Sequence, residues 1–245
     1  MSPHGIRGRS SGRPFLAGWT LRCAAAEAVG MTAAATAAKF ASVLAPESAS
    51  ATDRLAALGV VIVAGLVEGT ALGALQADGL ARLLPELDRR RWLRVTVAVA
   101  GLGWALGSAG PVLAGDDAQA AGPPLLLSVG GGAALGLAMG ALLGAAQARC
   151  LRGNLDHPYR WSAVNAAGWS PAMGILFLGA SAPAADWSVL RVAALGTLTG
   201  LAAGAVLGLV TGALLPVLGE PPQRRAPSAP PSAAGGQLRR PVSSR

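Results

Sequence analysis

Charge is scarce in this chain. Of its 245 residues 13% are Asp, Glu, Lys or Arg, 52% are hydrophobic and 34 are glycine. A soluble domain carries about a quarter charged residues, so this balance argues against a water-soluble fold and for the membrane. Cysteine is almost missing too: Cys23 and Cys150 are too few for a disulfide framework, and each stands near an arginine at a helix end read below as cytoplasmic, where thiols stay reduced. Histidine is limited to His4 and His157 in separate polar segments. No C-x-x-C or H-E-x-x-H spacing exists, and no metal site is expected. G-x-S-x-G, a P-loop and a His paired with a nucleophile are also absent, and the glycines of "GVVIVAGLVEGTALG" lack the soluble βαβ setting that a Rossmann fingerprint demands. An enzyme is therefore not expected, and with it no catalytic or cofactor-binding residue and no cofactor.

What the chain does have is long apolar stretches. A bilayer core of about 30 Å needs roughly 20 mostly apolar residues per helix. Six stretches approach or exceed that, at 16–45, 56–80, 93–114, 124–148, 161–182 and 189–217, separated by short segments of turn-forming residues. The net charge of +8 does not form a nucleic-acid-binding stripe, because the arginines are spaced between the apolar stretches. Arg7, Arg9 and Arg13 precede the first; Arg82, Arg89, Arg90, Arg91 and Arg94 separate the second from the third; Arg149, Arg152 and Arg160 separate the fourth from the fifth. The alternate connections hold Glu47, Asp53 and Arg54, then Asp116 and Asp117, then Asp186. Basic loops stay in the cytoplasm, so the pattern predicts six spans in the inner or plasma membrane with both termini cytoplasmic.

The N-terminus also has the basic start and apolar patch of a signal peptide, but "FLAGWTL" is short and is followed at once by Arg22 and Glu27, so the first span is expected to be retained. It is the least apolar of the six. Residues 1–15 read as a basic cytoplasmic segment, 16–217 as the membrane domain, and 218–245, rich in Pro, Ser and Arg, as a disordered cytoplasmic tail.

The second, fourth and sixth stretches share a ladder. Gly65, Gly69, Gly73 and Gln76 recur as Gly136, Gly140, Gly144 and Gln147, and again as Gly200, Gly204 and Gly208 with Thr211 in place of the glutamine. The odd stretches share a weaker mark: Gly103–Trp104, Gly168–Trp169 and Gly30–Met31. The expected fold is thus all-α, an integral membrane six-helix bundle made of three helical-hairpin repeats. Glycines four apart line one side of a helix and admit a neighbouring backbone, so the ladders are packing surfaces. Gln76 and Gln147 on the same face, and Asn165 in the fifth span, are expected to hydrogen-bond between helices. Trp92, Trp161 and Trp187, at span ends, have the placement of interfacial anchors. Trp104 and Trp169, deeper in, suit the glycine faces.

This arrangement of G-x-x-x-G-x-x-x-G-x-x-Q, a basic loop and then Gly-Trp resembles a loosely defined group of repeat-containing bacterial multi-pass membrane proteins with no assigned function. The resemblance is best over residues 65–174 and fades where Gln gives way to Thr and Trp to Met. It implies membrane residence and no activity.

Two functional classes follow. The first is a structural or accessory membrane protein acting through small-residue helix packing, in contact with lipid and with a membrane-protein partner or a second copy. The second is a small transporter or channel using Glu27 and Glu68, the acidic residues read as lying deep within the spans, near the bilayer midplane. Each must face the interior and be protonated, hydrogen-bonded or paired. Arg22 and Lys39 can reach the interfaces, which leaves Gln76, Asn165 or the other glutamate as expected partners.

Overall fold

A computed structural model describes residues 12–46, 48–114 and 123–219. Among these residues the chain forms six α-helices: α1 (Arg13–Leu44), α2 (Ala51–Ala81), α3 (Arg89–Ala114), α4 (Leu125–Leu151), α5 (Arg160–Ala180) and α6 (Val189–Leu214), closed by a 3-10 turn at Leu215–Leu218. The expected basic segment 1–15 and tail 218–245 lie outside the described residues except at 12–15 and 218–219, as do Glu47, Asp116 and Asp117.

Local chemistry sets the helix starts. Ser50 caps α2 in a reciprocal capping box with Asp53, and Ser188 caps α6 by accepting from the Arg191 N–H. Pro14 opens α1, where its missing N–H costs nothing. Pro111 and Pro171 lie inside α3 and α5, which membrane helices tolerate when neighbouring groups take up the freed backbone.

Helices α2 to α6 are each long and apolar enough to cross a membrane. Helix α1 is not among them: its apolar residues are mostly alanines, interrupted by Arg22, Glu27 and Lys39. It instead packs between α2 and α6, which cover Trp19, Cys23, Glu27 and Met31, so its composition suits a helix screened by its neighbours.

The ladders decide which helices meet. The glycines of α2 lie on α3, those of α4 on α5, and those of α6 on α1. A Cβ at Gly69 would stand 2.7 Å from the Ala100 Cβ; at Gly140, 2.7 Å from the Asn165 carbonyl oxygen; at Gly204, 2.7 Å from the Ala24 Cα. The turn nearer the arginine-rich connections repeats this, with Gly73 against Leu93 and Thr96, Gly144 2.6 Å from the Trp161 carbonyl oxygen and Gly208 2.6 Å from the Thr20 Cα. The turn farther away places Gly65 on the Trp104 ring, Gly136 on the Trp169 carbonyl and Gly200 on the Glu27 carbonyl. Only glycine permits such approach, and dispersion between the backbones is the return. The third ladder therefore does not find its mate in a sequence-adjacent hairpin: α6 closes on α1, at the opposite end of the chain. Helices α1 and α2 and helices α5 and α6 also pack together, whereas α3 and α4 touch little. Only 6% of the apolar stretch of α3 and 17% of that of α4 is buried, against 39–44% for α2, α5 and α6.

Candidate functional site

The end of the bundle that carries the basic connections holds the largest cluster of buried side chains among the described residues. Trp19 from α1, Trp92 from α3 and Trp161 from α5 are each at most 1% exposed. The Trp161 ring lies 6.4 Å from that of Trp19, edge-on, and 6.2 Å from that of Trp92, tilted. Each ladder delivers a polar group to this layer from the facing side: Gln76, Gln147 and Thr211, all fully buried. The Trp161 indole N–H donates to the Gln147 Oε1 at 2.9 Å, and the Trp19 indole donates to the Thr211 Oγ1 at 2.9 Å. Gln147 Nε2 in turn donates to the Thr96 Oγ1 at 2.9 Å and to the Gln76 Oε1 at 3.3 Å. One turn beyond, Leu80, Leu151 and Leu215 close the layer.

The third pair is incomplete. By position Trp92 stands to Gln76 as Trp161 stands to Gln147, yet the Trp92 Nε1 and the Gln76 Nε2 have no hydrogen-bond partner.

Two expectations are corrected here. Trp92 and Trp161 are not interfacial anchors: the neighbouring Arg91 and Arg160 are exposed while the indoles turn inward onto the ladder side. Asn165 is fully buried but bonds within its own helix, donating from Nδ2 to the Trp161 carbonyl at 3.0 Å, and its Oδ1 is unpartnered. Gln76 and Gln147 do meet across helices.

Farther from the basic end lie the two glutamates. Glu27 is 0% and Glu68 7% exposed. The Glu68 side chain rests on Gly30, where a Cβ would come within 2.5 Å of its Cγ, so Glu68 occupies the helical turn next to Glu27. Glu68 Oε2 accepts a hydrogen bond from the Trp104 indole N–H. Neither oxygen of Glu27 has a partner. The expected partners Gln76 and Asn165 bond to neither glutamate. Arg22 is held elsewhere: its Nε and Nη2 donate to the Asp78 Oδ2 at 3.1 and 2.9 Å and its Nη1 to the Gly18 carbonyl. Lys39 donates to the Ala185 carbonyl at 2.7 Å.

Asp78 is itself a junction, with Arg82 at 3.6 Å and Arg89 at 3.7 Å besides Arg22. Beside it a cleft of about 260 Å³ opens between α1 and α2, lined by Phe15, Trp19, Arg22, Arg82 and Leu83. No group of three or more His, Cys, Asp and Glu that could hold a metal ion occurs among the described residues.

Trp19, Thr96 and Asp78 carry this geometry and were not singled out from the sequence. The signal was a tryptophan followed four residues later by a small or polar side chain: Trp19 and Cys23, Trp92 and Thr96, Trp161 and Asn165. The Gly-Trp mark is out of register by one turn, since Met31 and Trp104 stand 12 residues after Trp19 and Trp92, and Trp169 only 8 after Trp161. Comparison with family models, with curated proteins and with solved structures gives no match for this chain.

Proposed function

We propose that the chain is a six-span integral membrane protein, both termini cytoplasmic, built from three ladder-based helix pairs, and that its role is structural or accessory. The observation that carries this reading is the tryptophan layer. Three indoles, two glutamines and a threonine, all buried and largely bonded to one another, fill the bundle at its basic end. A water-filled pore would need that end open, whereas a scaffold needs it closed and stiff. The α6 ladder seated on α1 supports the same reading, because it ties the first helix to the last and screens the charged α1 from lipid. With its ladders used inside the chain, the bundle meets its surroundings through side chains such as Leu102, Leu106, Leu126 and Leu142, which are exposed.

Native mass spectrometry of the detergent-purified protein tests the role. A retained second copy or membrane-protein subunit is the expected result. A strictly single chain that also supports solute flux in proteoliposomes would overturn it.

A further inference from the structure

Glu27 is the one carboxylate among the described residues that is wholly enclosed with both oxygens unpartnered. Helix geometry sets its surroundings. From α2 comes Glu68, on the adjoining turn and held by the Trp104 indole. From α6 come Gly200, whose missing side chain makes room for the Glu27 backbone, and the buried Ala203. On α1 itself the neighbouring titratable group is the Cys23 thiol, one turn away and buried. The layer beside Glu27 is apolar: Ala26, Leu72, Leu143, Ala172 and Leu207. Trp169 shares that layer, with its indole nitrogen also unpartnered. No cation faces Glu27, since Arg22 is bound to Asp78 and Lys39 to the Ala185 carbonyl.

An unpaired anion in such a place is strongly disfavoured. A metal cation would relieve it only with a shell of several oxygens. Beyond the carboxylate oxygens of Glu27 and Glu68 none is on offer: α1 and α2 are continuous helices whose carbonyls serve their own hydrogen bonds, and the Thr32 hydroxyl is bonded to the Ala28 carbonyl and to Thr197. A proton needs one oxygen.

We propose that Glu27 is a proton-binding site within the bundle, carrying the proton on its carboxyl group and exchanging it with water, with Glu68 as the neighbouring carboxylate. The site rests on membrane residence and is independent of the scaffold role, because a closed bundle and a transporter can both hold a proton.

A lipophilic carbodiimide tests it in the unmodified, full-length protein in liposomes. The reagent reacts with a protonated carboxyl in apolar surroundings: the carboxyl oxygen bonds to the central carbon while the acid proton passes to a nitrogen. Trypsin then releases residues 23–39, in which Glu27 is the single acidic residue, apart from the peptide that holds Glu68. The expected result is an adduct on 23–39 at low pH that falls about tenfold per pH unit once pH passes the midpoint of the site. Glu27→Gln should abolish that adduct, with helicity by circular dichroism unchanged. Absence of the adduct at every pH would overturn the proposal, and so would labelling that does not vary with pH, which marks a permanently neutral structural acid.

Discussion

Trp19, near the start of α1, donates its indole N–H to the Thr211 hydroxyl near the end of α6, 2.9 Å away and 192 residues along the chain. The same relation holds between Trp161 and Gln147 only 14 residues apart. One contact thus recurs whether the two helices are joined by a short loop or only by closure of the whole bundle, so the geometry of the ladder face, rather than the connection, fixes it.

The incomplete third member makes the tryptophans distinguishable. Trp19→Phe and Trp161→Phe each remove a paired donor and leave a buried acceptor behind, whereas Trp92→Phe removes a donor that has no partner. All three lose similar ring volume. In detergent unfolding, the Trp92 variant should therefore be more stable than the other two by about 1–2 kcal/mol. Equal losses would show that the indole hydrogen bonds contribute nothing.

Gln147 and Gln76 should differ for a related reason. Gln147 serves Trp161, Thr96 and Gln76, while Gln76 shares one 3.3 Å contact with Gln147 and lies beside the Cys23 thiol. Gln147→Leu is expected to cost about 2–3 kcal/mol and Gln76→Leu clearly less, by the penalty for orphaned buried groups. Thermal denaturation of both variants decides it.

Ladder glycines should be intolerant where glycines facing open space are not. At Gly204 a methyl group would meet the Ala24 backbone, which cannot yield, and overpacking of this kind costs about 1–3 kcal/mol. At Gly130 nothing lies within 4 Å of the added carbon. Gly130→Ala should be neutral or gain up to about 1 kcal/mol from helix propensity. The pair of melting temperatures tests whether the ladder is a packing surface.

Asp78 draws Arg22, Arg82 and Arg89 together at the basic end. Asp78→Asn should lower the melting temperature modestly by releasing Arg22 from α2, and the deficit should shrink as salt is added, because the outer two arginines are already solvated. A loss that does not change with ionic strength would mean that packing, not charge, holds α1 to α2 there.

The period-four glycines, the repeated Gln76 and Gln147 and five of the six apolar stretches were legible because each is a local pattern that a helix reads out directly, whereas the first stretch forms a helix less apolar than its reading as a span requires. Stretch 56–80 extends outward to Ala51–Ala81 because the Ser50–Asp53 cap adds a turn that hydropathy does not register. The tryptophan layer was not legible for three physical reasons. Trp92 and Trp161 follow arginines, the usual signature of an interfacial residue, and only the packed helices show the indoles turned inward. Their spacing from the ladders varies with loop length, 16 residues from Gln76 to Trp92 and 14 from Gln147 to Trp161, so no single template aligns them. The third pair, Thr211 with Trp19, has no sequence continuity at all. Likewise Glu68 finds its partner in Trp104, a residue read as filling space against glycine, because an indole presents a flat face to Gly65 and its N–H to the carboxylate at once.

Closure of α6 onto α1 within one chain is the claim on which the scaffold reading depends, and Thr32 with Thr197 tests it most directly. Their hydroxyl oxygens are 2.6 Å apart, 165 residues separated in sequence. In a chain with Cys23 and Cys150 replaced by alanine, Thr32→Cys and Thr197→Cys together should form a disulfide on mild oxidation in native membranes. The expected bond is intramolecular, seen by mass spectrometry as a cross-linked peptide pair in a band of monomer size. No disulfide, or one formed only between copies, would contradict that closure.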